Sequence, residues 1–544
     1  MEVTTVFSLL GGLGLFLFGI KTMGDGLEQA AGSKMKRLLE ALTRNKLTAV
    51  LVGLLVTAVI QSSSATTVMV VGFVNAGLLS LSKAIGVIMG ANIGTTVTSL
   101  MLSVKLNFGV LFTAVGAICQ LAGNRSSFKL FGQIMMGLGI LFVGMDAMTA
   151  AMEPLQEWQG FRDMMEWARN PFVGVLVGAG VTALLQSSSA SVGILQALAA
   201  TGAISLQASL FILFGQNIGT CVTALLASVG ANRTAKRAAV VHLLFNIIGA
   251  TLFIIIVLAL PLASWIEMLA GANLRLQIAF AHIIFNVVTT LLLLPLSGLL
   301  EKLAYLVVRG EDKQEEPMRL EYFDTRLFST PPVAVQQLFR EVQRMADIVT
   351  ANYRFAMQYY FAPKDLSVDE FDNNEQVIDY LNAEITQNLI ELKGLNLRSE
   401  DIRLVGSLFH VVNDLERIGD HAENMAEYAV MRVQKKVPFS DKSMEELTDM
   451  LNRVVELCNR ALTVFHTRDR GMLPKALVLE EQIDDLEKEL QQTHVDRLTQ
   501  GLCTPQSGMM FSDILSNLER VADHATNIAF SVEQDAQVEG VVRA

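Results

Sequence analysis

The chain has 544 residues, 51% hydrophobic and only 17% charged, a balance too apolar for a soluble enzyme of this length and the expected one for a membrane protein. Charge is spread unevenly: residues 1–302 hold 17 basic and 11 acidic side chains, whereas 303–544 hold 25 and 42. The acidic second half argues against nucleic acid as a partner, and four cysteines far apart (Cys119, Cys221, Cys458 and Cys503) argue against a disulfide framework or a zinc ribbon.

Met1-Glu2 leads straight into apolar sequence with no basic n-region, so the first hydrophobic stretch reads as a retained span rather than a signal peptide. Spans are predicted over 5–22, 107–123, 130–150, 237–259 and 277–298, each of the length that a ~30 Å hydrocarbon core requires. Residues 47–79 and 84–104, and again 172–204 and 208–229, are long apolar stretches interrupted by Gln-Ser-Ser-Ser or by Gly-x-Asn-Ile-Gly-Thr. Such polar breaks predict re-entrant hairpins or unwound helices, tolerated at membrane depth only where they line an enclosed cavity.

These interruptions recur at an offset of 125 residues. Gln61-Ser62-Ser63-Ser64 returns as Gln186-Ser187-Ser188-Ser189, and Gly90-Ala91-Asn92-Ile93-Gly94-Thr95 as Gly215-Gln216-Asn217-Ile218-Gly219-Thr220. The match runs without a gap from about residue 13 to 98, giving a first repeat over about 8–123 and a second over about 130–300. Segment 31–46 is net basic and its counterpart 151–170 net acidic, so the positive-inside rule places them on opposite faces and the repeats are expected to be inverted. A duplicated membrane unit broken at matching polar points is the pattern of a secondary transporter with its site at the repeat interface.

Three hydroxyls and a carboxamide in succession offer donors and acceptors without fixed charge, which suits a hydrated oxyanion or a small cation. A broken helix adds free N–H groups at its N-terminal end, an anion site, and carbonyls at the other end for sodium. With no Lys or Arg in the motifs, co-bound cations are the natural neutraliser of a charged anion. The chain contains no Gly-x-Ser-x-Gly elbow, P-loop or HExxH, so the hydrolase and ATP-driven readings lack their machinery and no enzyme activity is expected.

The paired QSSS and Gly-x-Asn-Ile-Gly-Thr motifs resemble those of the type II sodium-phosphate cotransporters and their bacterial relatives, across essentially all of residues 8–300. The resemblance implies that Gln61, Ser62, Ser63, Ser64, Gln186, Ser187, Ser188 and Ser189 form the region binding inorganic phosphate and sodium, with Asn92, Thr95, Asn217 and Thr220 as further candidates. Sodium would be the coupling ion. Thr96 faces Cys221 across the repeat, so any role of that hydroxyl would exist in one half only. A second recurrence, His242-Leu243-Leu244-Phe245-Asn246 and His282-Ile283-Ile284-Phe285-Asn286, puts His and Asn on one helical face; the expectation is a pairing contact between these two spans.

From 331 onward, amphipathic stripes predict six helices, near 331–361, 366–394, 399–434, 441–467, 472–499 and 507–534, broken at Pro363, Gly394, Pro438, Gly471 and Pro505. They predict a pair of three-helix bundles. Glu416 with Asp420 matches Glu519 with Asp523, and Glu375 with Asp379 matches Glu481 with Asp485. Carboxylates four apart share a helical face and repel, and hard oxygen ligands from adjacent helices suit a divalent or ferric metal. Leu-Glu-Arg-Ile-Gly-Asp-His and Leu-Glu-Arg-Val-Ala-Asp-His resemble PhoU-type domains, which implies metal binding through these motifs and a link to a phosphate-signalling protein. The expected whole is an all-α chain of three parts. A membrane domain of two inverted repeats with broken or re-entrant helices fills 1–308, 309–330 is a linker, and a cytoplasmic PhoU-like helical domain fills 331–544. It would lie in the lipid bilayer of a bacterial inner membrane.

Overall fold

All regular structure among the described residues is helical. The computed structural model describes residues 3–41, 45–104, 108–123, 126–310, 318–361, 368–395 and 397–534. It divides into two compact units, Met1–Gln314 with Arg326–Thr330, and Glu315–Thr325 with Pro331–Ala544.

The first unit runs α1 (Val3–Ala41), α2 (Lys46–Ile60), α3 (Ser63–Asn75), α4 (Leu81–Ser103), α5 (Gly109–Ala122), α6 (Ser126–Met152), α7 (Gln159–Trp167), α8 (Pro171–Leu185), α9 (Ser188–Ala200), α10 (Leu206–Ala227), α11 (Arg233–Ala259), α12 (Leu262–Ala270), α13 (Leu274–Leu293) and α14 (Ser297–Val307). The 125-residue offset carries α2 onto α8 and α3 onto α9 to the residue. Among the described residues α1, α4, α6, α10, α11 and α13 are long and apolar enough to cross a bilayer, and α7 with α8 forms a further pair bent by 107°.

Two expectations are corrected here. Helix α5 has 14 residues, about 21 Å at 1.5 Å per residue, too short to cross alone. The Gly-x-Asn-Ile-Gly-Thr stretches do not interrupt their helices: α4 and α10 run straight through them. The reason is local satisfaction of the polar groups. Thr95 and Thr220 donate to the carbonyls of Ala91 and Gln216, and Asn217 to that of Leu213, each one turn back. The glycines serve packing instead. A Cβ on Gly90 would stand 2.0 Å from the Val50 carbonyl oxygen, and one on Gly215 2.1 Å from that of Val175. Small residues thus let α2 lie backbone to backbone on α4, and α8 on α10. Phe214, Phe253 and Phe285 fill the core between α10, α11 and α13, their ring centroids 5.1–5.7 Å apart.

The second unit holds α15 (Pro331–Phe361), α16 (Val368–Lys393), α17 (Ser399–Lys435), α18 (Asp441–Thr467), α19 (Leu473–Thr499) and α20 (Pro505–Gln534). Every boundary falls within two residues of the sequence expectation. Helices α15–α17 and α18–α20 form two three-helix bundles joined chiefly through α17 and α20. The region read as linker is divided between the units. Tyr322 and Phe323 donate their N–H groups to Glu341 of α15. Arg326 instead donates to the Ala227 and Val229 carbonyls at the end of α10, and Leu327 is fully buried beside Gly72 of α3.

Candidate functional site

Each QSSS tetrad ends one helix and starts another. Gln61 and Gln186 take the left-handed conformation at φ 59° and φ 51°, uncommon for a residue with a Cβ. Their N–H groups close the preceding helices on the Thr57 and Thr182 carbonyls, both at 2.8 Å. The next residue caps the following helix: Ser62 Oγ accepts from Ala65 N–H at 3.1 Å, and Ser187 Oγ from Ala190 N–H at 3.2 Å. Broken helices are therefore written into the tetrads themselves.

The two helices that begin at these breaks meet end to end. Ser63 Oγ lies 3.2 Å from Ser188 Oγ, and both side chains are buried, as is Ser189, with Ser64 half-buried. The N-termini of α3 and α9 thus converge on one polar point. Each carries unpaired N–H groups and about half a positive charge. Two helix N-termini brought together through a pair of hydroxyls offer donors and partial positive charge, the chemistry that suits an anion without a basic side chain.

The remaining candidates lie on the two Gly-x-Asn helices. Asn92, Thr95, Asn217 and Thr220 are buried on α4 and α10. Asn92 Oδ1 faces His242 Nε2 at 3.3 Å, and Asn217 Oδ1 accepts from Asn286 Nδ2 at 3.4 Å. This corrects the expected role of the repeated His-x-x-x-Asn motif. Its first copy reaches Asn92 through the histidine and its second reaches Asn217 through the asparagine, so the motifs brace the two Gly-x-Asn helices. Asn246 donates to Cys221 Sγ at 3.2 Å, the position where repeat one has Thr96. The recurrence of the motif was the available signal, but its target lay in tertiary structure. Thr66 and Thr98 bond to Ser62 and Gln61 of the first tetrad and Thr57 to Thr66, and none of the three was singled out by sequence.

In the second unit carboxylates gather on facing helices. Glu375 of α16 accepts from Asn352 Nδ2 at 3.1 Å and lies over Gly419 of α17. Burial, then Asp379, Glu423 and Asp420, push its carboxyl up to about 7. Burial and Asp420 also raise Glu416, while Arg417 binds Asp420 at 3.0 Å. In the other bundle Glu480, Asp484 and Asp523 each place a carboxylate oxygen within 4.8 Å of the others. Glu519 is raised by burial and by Asp523. The expected pair Glu481 and Asp485 is exposed and points elsewhere. Their neighbours Glu480 and Asp484 face Asp523 instead, because one residue along a helix turns a side chain by about 100°. His524 Nδ1 meets Asp414 Oδ1 at 2.9 Å, joining α20 to α17.

A duplicated unit of membrane-length helices, broken twice at matching polar points, is the pattern of polytopic transport proteins. The chain belongs to the Na+/Pi-cotransporter family, whose model matches residues 15–150 and 152–290, and carries a PhoU domain matched over 342–429 and 447–532. It is 25% identical over 540 residues to a Salmonella typhimurium protein provisionally named inorganic phosphate export protein YjbB, covering 98% of this chain and 99% of the relative. A Bacillus subtilis protein of uncharacterised function, YqeW, is 33% identical over 294 residues, 54% of this chain and 95% of its own. The solved structure of the phosphate transport system regulatory protein PhoU from Streptococcus pneumoniae aligns with 38% of this chain and 97% of its own, at 20% identity and a TM-score of 0.34.

Proposed function

We propose that this protein moves inorganic phosphate across the bacterial inner membrane, coupled to sodium, by alternating access of two inverted halves around the paired QSSS breaks. The observation that carries the reading is the 3.2 Å approach of Ser63 and Ser188, which brings two helix N-termini together. Gln61, Ser62, Ser64, Gln186, Ser187 and Ser189 belong to the same proposed site, with Asn92, Thr95, Asn217 and Thr220 of α4 and α10 as further candidates. Sodium neutralises the anion, since desolvating a multiply charged oxyanion without a cation is costly.

The C-terminal unit, on the cytoplasmic side, regulates transport and binds a divalent or ferric metal through its carboxylates. Arg326–Thr330, docked on α3 and α10, continues directly into α15 at Pro331. That strap is the covalent path by which a change in the C-terminal unit reaches the helix beginning at Ser63. The relative's name adds outward net movement.

Radiolabelled phosphate flux in proteoliposomes, under imposed sodium gradients of both signs, tests the reading and gives its direction. Flux that ignores the sodium gradient refutes the coupling. Phosphate binding without net movement turns the protein into a receptor, and stronger competition by sulfate than by unlabelled phosphate changes the cargo.

A further inference from the structure

The two repeats match in sequence but differ in how their breaks are held. In repeat one Thr98 Oγ1 donates to Gln61 Oε1 at 2.9 Å, and Thr57 Oγ1 donates to Thr66 Oγ1 at 3.0 Å across the break. Gln61 itself is only 7% exposed. The offset of 125 carries these four residues onto Gln186, Thr223, Thr182 and Ser191, which have the same chemistry. None of the equivalent contacts is made. Gln186 is exposed, Thr223 Oγ1 turns back to the Thr220 carbonyl of its own helix at 2.9 Å, and the buried hydroxyls of Thr182 and Ser191 have no partner.

We infer that Thr98 and Thr223 are positioning residues of two gates, each closing by a hydrogen bond to the glutamine of its own repeat's QSSS break and engaging alternately. The structure is the conformer with the repeat-one gate shut and the repeat-two gate open. The inference rests on the transport reading above, and extends it by naming which contacts exchange. The physical case is the matched chemistry of the two sets, three pairs identical and the fourth hydroxyl carried by Thr66 in one and Ser191 in the other. A sequence able to make the same two bonds in both halves makes them in one, and buried hydroxyls without partners raise the energy of the open half. Exchanging the two states breaks one set and forms the other, so the cost is offset within the molecule. That balance is what a two-state element near equilibrium requires.

The test uses the full chain, with its four cysteines replaced by alanine and a reporter cysteine at Ile60 or at its counterpart Leu185. Labelling by a membrane-impermeant thiol reagent in phosphate-free proteoliposomes is compared with and without Thr98→Val and Thr223→Val, each nearly isosteric. Leu185→Cys is expected to label and Ile60→Cys to be protected. Thr98→Val should raise labelling at position 60 severalfold, whereas Thr223→Val should leave it unchanged or lower it. Equal effects of the two variants, or no effect of Thr98→Val at position 60, overturn the proposal. Retained circular dichroism and elution volume of Thr98→Val separate gate opening from misfolding. The readout does not depend on flux. A chain that shows this labelling pattern but moves no phosphate keeps the gates and loses the transport reading; a chain that transports with symmetric labelling does the reverse.

Discussion

Ser63 Oγ and Ser188 Oγ, 125 residues apart in the chain, lie 3.2 Å apart in the fold. Each is the first residue of a helix that starts at a Gln-Ser break, so the contact joins two equivalent helix N-termini. Everything proposed for the site follows from that juxtaposition.

Removing either hydroxyl takes a donor from a desolvated anion site, worth about 1–3 kcal/mol. Ser63→Ala and Ser188→Ala are each expected to lower sodium-dependent phosphate flux by about 5- to 150-fold, with expression and membrane insertion unchanged. Wild-type flux in both variants would remove these serines from the site.

The opposite charge balance of segments 31–46 and 151–170 predicts that they lie on opposite faces of the membrane. The side chains of 32–44 lie outside the described residues, so the expectation rests on sequence alone. Single cysteines introduced into the two segments, probed with an impermeant reagent from each side, should label from opposite sides. Labelling from one side would make the repeats parallel.

Glycine tolerance should follow backbone proximity rather than motif membership. Gly215→Ala drives a Cβ to 2.1 Å from the Val175 carbonyl oxygen, whereas a Cβ on Gly180 meets nothing within 4 Å. Thermal unfolding in detergent should show a clear drop in midpoint for Gly215→Ala. Gly180→Ala should be neutral or raise stability by roughly 0.5–1 kcal/mol, the usual helix-interior gain of alanine over glycine.

The raised carboxyl of Glu375 has a definite linkage sign. Its folded-state value of about 7 lies above the ordinary 4.5, so between these pH values the folded state holds the proton that the unfolded state has lost. Stability from this group is therefore present at low pH and is lost as pH rises through the folded value. Residues 320–544, produced alone, should melt at lower temperature as pH rises from about 5 to about 7.5, and Glu375→Gln should flatten that dependence. A midpoint that rises over the same interval in the parent but not in the variant would reverse the assignment.

Metal analysis can separate the two registers of the second acidic pair. Glu480→Gln with Asp484→Asn should abolish binding of a divalent or ferric ion in the α18–α20 bundle, while Glu481→Gln with Asp485→Asn should leave it intact. Equal metal content in all three proteins would show these carboxylates to be a solvated face.

What the sequence determined was whatever depends on near neighbours. The breaks at Gln61 and Gln186 were legible because a capping serine and a helix-ending residue act within a few positions. The six C-terminal helices were legible because apolar stripes and Pro or Gly breakers are local signals. Tertiary structure decided the rest. Asn92 and Thr95 looked like a helix break, because a sequence does not show that Thr95 will donate one turn back and that Asn92 Oδ1 will meet His242 from another span. Glu480 and Asp484, rather than Glu481 and Asp485, lie beside Asp523 because rotation about a helix is fixed by which face packs: Ala476, Leu479 and Ile483 are buried and set the orientation of their neighbours. The difference between Gln61 and Gln186 cannot be read from the tetrads themselves. Identical tetrads can hold either arrangement, and the packing of the whole unit selects one.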